Sequence, residues 1–153
     1  MLKILVSSCL LGHPVRYDAQ SKPVEHPLLQ QWQAEGRLIG FCPELAGGLP
    51  TPRPPAERRN GRICTEDGSD VTTAFTEGAH QALEQCQRQD IRVALLKESS
   101  PSCGSTTIYD GQFCGRKIPG MGLTAEQLQA TGIMVFSENQ LEELANFLRQ
   151  IEK

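Results

Sequence analysis

Three cysteines that follow predicted strands are the residues of this sequence best suited to chemistry. Cys9, Cys42 and Cys103 lie just beyond the first, second and third predicted strands. In an open α/β sheet, ligands bind in the crevice beyond the carboxyl ends of the strands, so we expect these thiols to converge there. None of them shows the Cys-x-x-Cys spacing of a zinc knuckle or a thioredoxin site. The arrangement therefore predicts a metal or cluster site assembled from distant loops.

Two kinds of occupant are compatible with three thiolates. Zinc would require a fourth ligand or a water molecule. A [4Fe-4S] cluster is normally held by four cysteines, and with three it leaves one iron open to a substrate atom. An open iron is a Lewis acid whose softness favours sulfur. Of the other cysteines, Cys64 and Cys86 are predicted to be buried structural residues, and the role of Cys114 stays open.

A carboxylate and several hydroxyl groups accompany the three thiols. Pro43 fixes the backbone between Cys42 and Glu44, which makes Glu44 a candidate general acid or base beside the metal. Ser100 and Ser102 lie in the loop before Cys103 and could bond a cluster sulfide or a substrate oxygen. The alternatives are a surface glutamate and an ordinary Ser-Pro turn.

Further substrate contacts are expected in two loops. Arg53 lies in a segment stiffened by prolines, where it could meet an anionic substrate or belong to a basic cluster that solvates a hairpin. Asp18 lies in the polar group Arg16-Tyr17-Asp18 after the first cysteine. We expect Asp18, Arg53 and Ser102 to contact the substrate.

Four strands alternate with four helices in the predicted secondary structure. Strands are expected at about 2–8, 37–41, 91–97 and 132–136, and helices at about 27–36, 71–89, 124–130 and 138–151. The proline-rich and glycine-rich segment from Pro43 to Pro55 is expected to lack regular structure. The alternation predicts a single α/β domain, residues 1–153, with a mostly parallel, doubly wound (Rossmann-like) sheet and helices on both faces.

Turn and cap signals mark the ends of these elements. Asn60-Gly61 predicts a hairpin turn, and a second short hairpin is expected around Asp110-Gly111. Side-chain caps are expected at Asp70, at the capping box of Thr124 with Gln127, and at the capping box of Ser137 with Gln140.

Charge and cysteine content exclude several classes of protein. The chain of 153 residues has a net charge of −3 and a pI of about 5.6, so it lacks the basic footprint of a nucleic-acid-binding protein. Its longest apolar stretches fall far short of a membrane span, and the apolar run before Cys9 is too short for a secretory signal.

Without a signal, the six cysteines do not indicate a disulfide scaffold. We therefore expect a cytoplasmic protein without a membrane partner.

Several segments resemble the bacterial domain-of-unknown-function 523 family, whose characterised member is a thiouracil desulfidase. They are Ser7 to Gly12, Arg16-Tyr17-Asp18, Cys42-Pro43-Glu44, Gly47 to Glu57, Asp70-Val71-Thr72, Lys97 and Ser100-Pro101-Ser102-Cys103-Gly104. The proline-rich loop and the Ser-Pro-Ser-Cys-Gly motif are the most specific of these. The family's usual glycine after Arg-Tyr-Asp is Ala19 here, which could alter the loop backbone but removes no expected ligand.

The resemblance implies a cofactor, an activity and the residues that serve them. It implies a [4Fe-4S] cluster held only by Cys9, Cys42 and Cys103, with an open iron that binds the thiocarbonyl sulfur of a thiolated pyrimidine. Water then replaces sulfur by oxygen without net redox change, and sulfide leaves. The family's catalytic carboxylate and hydroxyl correspond to Glu44 and Ser100.

The substrate is expected to be a small thiolated nucleobase or nucleoside. Some relatives carry an added C-terminal domain and act on thiolated transfer RNA, whereas this chain stops at Lys153 and is acidic, so RNA is not an expected partner. Two alternatives remain at this point. The same open-iron cluster could serve a sulfur-carrier or binding protein, or zinc could stabilise an interaction domain without catalysis. Neither the oligomeric state nor the ring position of the sulfur is predicted.

Overall fold

A computed structural model describes residues 1–21 and 23–152 of the chain. The strands are β1 (Ile4–Ser7), β2 (Leu38–Phe41), β3 (Ala56–Arg59), β4 (Arg62–Thr65), β5 (Val93–Leu96), β6 (Thr107–Tyr109), β7 (Lys117–Pro119) and β8 (Met134–Ser137). The helices are α1 (Pro27–Ala34), α2 (Pro43–Ala46), α3 (Thr72–Arg88), α4 (Leu123–Ala130) and α5 (Leu141–Ile151), with a 3₁₀ turn at Ser8–Leu11. Among the described residues, no helix is long and apolar enough to cross a membrane.

The central sheet is parallel and has the strand order β2-β1-β5-β8. In this register Ile4 of β1 lies between Leu38 of β2 and Val93 of β5. All residues of β1 and β5 are buried, as expected for continuous apolar runs covered on both faces. The sequence-based prediction of a mostly parallel α/β sheet is confirmed.

Alternate residues of each strand point to opposite faces of the sheet. Because apolar residues occupy both faces, helices cover both. Ile4 and Val6 face a core completed by α1 and α5, which includes Trp32. Leu5 faces a second core completed by α3 and α4, which includes Leu128. The sheet is therefore doubly wound, as predicted.

The order of the strands creates a crevice at the carboxyl edge of the sheet. The chain leaves β1 for β2 on one side and then crosses to β5 on the other side, so the connections after β1 and β5 diverge. Such a switch point is where open α/β sheets bind ligands. Cys9 follows β1 at this point, and Cys103 lies in the loop after β5.

Two antiparallel hairpins lie outside the central sheet. In the β3–β4 hairpin, Asn60 and Gly61 both have positive φ, at 53° and 77°, which suits the two-residue turn that the sequence predicts. The β6–β7 hairpin turns through the segment with Asp110 and Gly111, also as predicted. Arg58 of β3 donates to the Met121 carbonyl oxygen at 2.7 Å, which anchors the first hairpin beside α4.

The prediction that Pro43 to Pro55 would lack regular structure is wrong for its first four residues, which form α2. Proline at the first helical position has a suitable φ and needs no donor there, so Pro43 starts this helix instead of preventing it. The Ala46 N–H donates to the Cys42 carbonyl oxygen at 3.0 Å. From Gly47 to Pro55 the chain is free of helix and strand, as predicted.

The cap predictions had mixed outcomes. Thr124 lies inside α4, which begins at Leu123, and its hydroxyl is hydrogen-bonded elsewhere, so its predicted capping box is wrong. Asp70 accepts the Thr72 N–H at 2.9 Å and so serves the first turn of α3, although Val71 holds the cap position.

Ser137 and Gln140 do exchange side-chain bonds with the backbone near the start of α5. The Ser137 N–H donates to Gln140 Oε1 at 3.0 Å, and Ser137 Oγ accepts the Asn139 N–H at 3.2 Å. However, α5 begins at Leu141, three residues later than predicted, so the pair shapes the turn that leads into the helix.

Candidate active site

A cavity of about 420 Å³ opens at the carboxyl edge of the central sheet. Cys9, Cys42 and Cys103 all line it, together with Glu44 and Ser100. Parallel strands end at a common edge, so residues far apart in sequence meet here. The structure therefore brings together the three thiols, the carboxylate and the hydroxyl that the sequence singled out.

Each of the three cysteines has its own supporting element. Cys9 lies in the 3₁₀ turn after β1, Cys42 holds the cap position before α2, and Cys103 lies in the loop between β5 and β6. Cys9 and Cys103 are 6% and 5% exposed, whereas Cys42 is half-buried. All three thiols are free, so each has a sulfur available as a ligand.

Burial sets the protonation of these thiols. It raises the pKa of Cys9 to about 11, an effect that neighbouring Cys42 increases and that Lys97 opposes. Burial also raises the pKa of Cys42 and that of Cys103. Without a cation the three groups are neutral thiols near pH 7, whereas a bound metal would convert them to thiolates.

The donor set fits a soft metal ion or an iron–sulfur group. Soft thiolate ligands favour iron–sulfur clusters and zinc over hard cations. Within residues 1–21 and 23–152, no group of three or more His, Cys, Asp or Glu side chains is arranged to hold one metal ion. The three thiols line one shared cavity.

Glu44 is held beside the thiols by a buried arginine. Arg53 Nε lies 3.1 Å from Glu44 Oε1, and the two side chains are 4% and 19% exposed. Burial raises the pKa of Glu44, while the Arg53 guanidinium opposes that rise. A largely desolvated carboxylate of this kind can exchange protons with a substrate or a water molecule.

Arg53 lines the cavity, but most of its N–H groups donate hydrogen bonds to other residues of the protein. Besides Glu44, its guanidinium donates to the Pro50 carbonyl oxygen at 3.0 Å, to Thr51 Oγ1 at 3.1 Å and to the Val15 carbonyl oxygen at 2.9 Å. Four of its five N–H groups are thus engaged. The geometry gives Arg53 the role of orienting Glu44, and the substrate contact expected from sequence stays a prediction.

Ser100 has a hydroxyl group with a defined hydrogen-bonding direction. Its Oγ accepts the N–H of Ser102 at 3.0 Å and that of Cys103 at 3.1 Å. A hydroxyl has two acceptor lone pairs and one proton to donate. Because both lone pairs are engaged, Ser100 can act toward the cavity only as a hydrogen-bond donor.

Two residues expected to contact substrate lie elsewhere. Ser102 is fully buried, and its hydroxyl lies 2.9 Å from that of Thr124 in α4, so it anchors the loop to the helix. Asp18 lies 3.8 Å from Arg16 and accepts the Gln20 N–H at 3.0 Å. Neither is among the described residues that line the cavity.

Close backbone packing fixes the loop that carries Cys103. A β-carbon on Gly122, just before α4, would lie 2.4 Å from the Ser102 carbonyl carbon. A β-carbon on Gly104 would lie 2.5 Å from the Thr107 carbonyl oxygen. Only glycine permits these approaches, so both positions hold Cys103 against α4 and β6.

Sequence reasoning missed several groups that shape the cavity. Glu98 accepts hydrogen bonds from Ser99 and Thr107, at the two ends of the Cys103 loop. Glu57 accepts the Gly111 and Phe113 N–H groups at 3.0 and 3.2 Å. Tyr17, Tyr109 and Phe113 add aromatic surface to the lining. The run of Ser and Thr after Glu98 was the one available signal, since such residues donate readily to a nearby carboxylate.

The fold and the site together define an α/β protein with a thiol-lined crevice at its sheet edge. The chain belongs to the 2-thiouracil desulfurase family, whose model matches residues 4–140. This membership confirms the resemblance noted from sequence.

Two relatives extend this comparison. The chain is 57% identical to the solved structure of the "[4Fe-4S]-dependent thiouracil desulfidase TudS", with a TM-score of 0.97 and coverage of 98% of this chain and 99% of that one. It is also 41% identical over 151 residues to the "Uncharacterized protein YbbK" of Bacillus subtilis (strain 168), covering 92% of this chain and 99% of that protein.

Proposed function

We propose that this protein is an iron–sulfur-dependent desulfidase of thiolated pyrimidines. The overall reaction replaces sulfur by oxygen: a thiocarbonyl compound and water give the carbonyl compound and hydrogen sulfide, with no change in net oxidation state. The observation that carries the proposal is that three free thiols, Glu44 and Ser100 all line one cavity. The likeness to TudS at 57% identity supports the same activity.

Cys9, Cys42 and Cys103 are the proposed ligands of a [4Fe-4S] cluster with one iron left without a protein ligand. When bound, such a cluster would supply a Lewis acid with affinity for the thiocarbonyl sulfur. Support comes from the soft donor set and from the cavity that the three cysteines line. The remaining cysteines are not among the residues that line the cavity, and Cys86 belongs to the core between α3 and the sheet.

Glu44 is proposed to move the protons that the reaction requires. As a carboxylate it would take a proton from water as the oxygen forms its bond to the pyrimidine carbon, and it would later return that proton to the departing sulfur. Arg53 keeps the carboxylate facing the cavity through the 3.1 Å contact. Ser100 would donate a hydrogen bond to an acceptor atom of the pyrimidine ring, since its lone pairs are already engaged.

The proposed substrates are free thiolated bases or nucleosides, and RNA is not proposed as a partner. A cavity of about 420 Å³ is within the range typical of small-molecule sites. We also infer that residues 1–153 act as one domain, since both cores share the central sheet. A cytoplasmic location is proposed from the six free cysteines, which suit a reducing compartment.

The test is anaerobic reconstitution with iron and sulfide, followed by turnover of 2-thiouracil. Iron per chain, the visible absorption band, uracil formation and free sulfide are measured together. Replacing Cys9, Cys42 or Cys103 by Ala should remove cluster and activity, whereas Cys114→Ser, at an exposed thiol outside the cavity, should leave both intact. Full activity in a Cys103→Ala variant would refute the proposed ligand set.

The outcomes also separate the alternatives left open by the sequence. A cluster that retains sulfide without turnover would indicate a sulfur-carrier protein. Tight zinc binding without iron would indicate a zinc-stabilised interaction domain. Glu44→Gln should keep the cluster and abolish most turnover, and full turnover would remove Glu44 from the mechanism.

A further inference from the structure

The carboxylate of Glu98 collects six hydrogen bonds. Its Oε1 accepts the N–H groups of Ser99, Ser105, Thr106 and Thr107, each at 3.1 Å. Its Oε2 accepts the hydroxyls of Ser105 and Thr106, at 3.3 and 2.8 Å. Hydrogen bonds to an ionised acceptor are roughly twice as strong as neutral ones, so this group is a strong local constraint.

These donors lie on both sides of the segment that carries the site residues. Ser99 precedes Ser100 to Gly104, and the other donors follow that segment directly. One carboxylate therefore joins the beginning of the loop to its end, close to the bridge that pairs Ser99 with Ile108. Ser100 and Cys103 line the cavity from within the closed loop.

The backbone of Glu98 is held by two other residues, Glu138 and Lys97. Its N–H donates to Glu138 Oε1 at 2.8 Å, and its carbonyl oxygen accepts Lys97 Nζ at 3.1 Å. Lys97 Nζ in turn lies 2.9 Å from Glu138 Oε2. The turn between β8 and α5 therefore anchors the backbone of Glu98, and this backbone directs the carboxylate into the loop.

We propose that Glu98 is a positioning residue of the active site, which closes the loop from Ser99 to Thr107 and so aims the Cys103 thiol and the Ser100 hydroxyl into the cavity. This inference rests on the proposed function, because it assigns Glu98 to the same site. Glu98 is not a catalytic residue. A carboxylate offers about four lone-pair sites, and six protein donors already occupy them.

The test compares Glu98→Ala and Glu98→Gln with the wild-type full chain. Hydrogen exchange of residues 99–107 and alkylation of Cys103 are measured on the chain without added iron, with buried Cys86 as internal reference. The reconstituted protein then gives iron content, the cluster spectrum, kcat and KM. Asp67→Ala is the matched control, because Asp67 accepts bonds from the Thr65 hydroxyl and the Ser69 N–H but lies outside the cavity lining.

Glu98→Ala should speed exchange and Cys103 alkylation by about tenfold or more, since the loop loses its shared acceptor. It should lower kcat by about 10²-fold, the scale of a misplacement of about 1 Å, with a smaller change in KM. Glu98→Gln should restore most of this loss. Its amide oxygen can accept from the four N–H groups, and its NH₂ can donate to the two hydroxyls once they rotate.

Several results would overturn the inference. One is unchanged exchange and alkylation in Glu98→Ala. Another is a loosened loop with cluster content and kcat at the wild-type level, which would make Glu98 structural only. A third is a Gln variant as impaired as the Ala variant. If wild-type protein shows no desulfidation, the exchange and alkylation results still decide the role of Glu98 separately from the proposed function.

Discussion

Gly78 in α3 lies so close to the carbonyl oxygen of Pro43 that a β-carbon on it would be only 1.9 Å from that oxygen. Gly47 at the end of α2 has the reciprocal relationship, with its β-carbon position 1.9 Å from the Ala74 carbonyl oxygen. Pro43 separates Cys42 from Glu44. The contact between the two helix backbones therefore sets where a proposed cluster ligand and a proposed proton carrier lie.

Replacing Gly78 by Ala should displace α2 and impair the site. On helix propensity alone, this change would stabilise α3 by up to about 1 kcal/mol. Overpacking against fixed backbone costs about 1–3 kcal/mol, so we expect a lower free energy of unfolding together with lower kcat/KM. Urea denaturation and thiouracil turnover measure the two effects. Glu84→Ala, at an exposed position of the same helix, should change stability by no more than about 0.5 kcal/mol.

A stabilised and fully active Gly78→Ala variant would contradict this account of α2. It would show that the helix can move away from α3 without disturbing Cys42 or Glu44.

Much of the fold could be predicted because it depends on patterns that are local in sequence. The apolar runs of β1 and β5 predict buried parallel strands, and Asn60-Gly61 predicts its hairpin. The short helix α2 is not predicted, because the density of prolines and glycines argues against regular structure there. Pro43, however, occupies the first helical position, where proline is favourable. The predicted capping box at Thr124 is wrong because its hydroxyl pairs with that of Ser102, a partner 22 residues away that no local pattern reveals.

The site was predictable in its thiols and less so in its polar groups. Cys9, Cys42 and Cys103 follow strands, and the carboxyl ends of parallel strands lie at one edge of the sheet irrespective of the paths of the loops. The difference between Ser100, which lines the cavity, and Ser102, which is buried, depends on the path of one loop. Loop paths follow from tertiary contacts that a single sequence does not display.

Removing Arg53 should be costly because it takes away a buried guanidinium and leaves the acceptors that it serves unpaired. Arg53→Ala would remove the hydrogen-bond donor of the Glu44 carboxylate and of the carbonyl oxygens of Pro50 and Val15. Breaking a buried ion pair by removing one partner costs about 3–5 kcal/mol, and we expect a loss of that order in urea denaturation. Arg62→Ala is the control, since Arg62 is 77% exposed and its 3.8 Å pair with Asp70 should contribute at most about 1 kcal/mol.

A double-mutant cycle identifies the partner. Because Glu44→Gln removes the same charge interaction, the losses from Arg53→Ala and Glu44→Gln should be non-additive by about 1–3 kcal/mol. Additive losses would show that Arg53 supports the loop without acting on Glu44.

The Glu98 carboxylate should make stability depend on pH in the acid range. Burial alone would raise its pKa, but the N–H groups of Thr107 and Thr106, with further donors, outweigh burial and lower the pKa to about 2. A lowered pKa in the folded state means that the stabilisation is fully present above the unfolded pKa, about 4.3, and is lost as pH falls toward about 2. Since the side chain is partly exposed, we expect about 1–2 kcal/mol after screening by solvent.

The measurement is urea denaturation of wild type and Glu98→Gln between pH 7 and about pH 2.5. The wild type should be more stable at pH 7, and the difference should shrink as the pH falls below about 4. A difference that stays constant over this range would mean that Glu98 ionisation does not contribute to folding.

Ala19 occupies a backbone conformation that favours glycine, and this gives a prediction with a defined sign. Its φ is 61°, in the left-handed region, within the loop of Arg16-Tyr17-Asp18. That conformation costs an L-residue about 1–2 kcal/mol, whereas glycine adopts it freely but loses about 0.4–1 kcal/mol of backbone entropy. Ala19→Gly should therefore raise the free energy of unfolding by about 0.5 kcal/mol. Ala130→Gly at the exposed end of α4 should instead lower it by about 0.5–1 kcal/mol, and equal losses in both variants would show that the loop at Ala19 is unstrained.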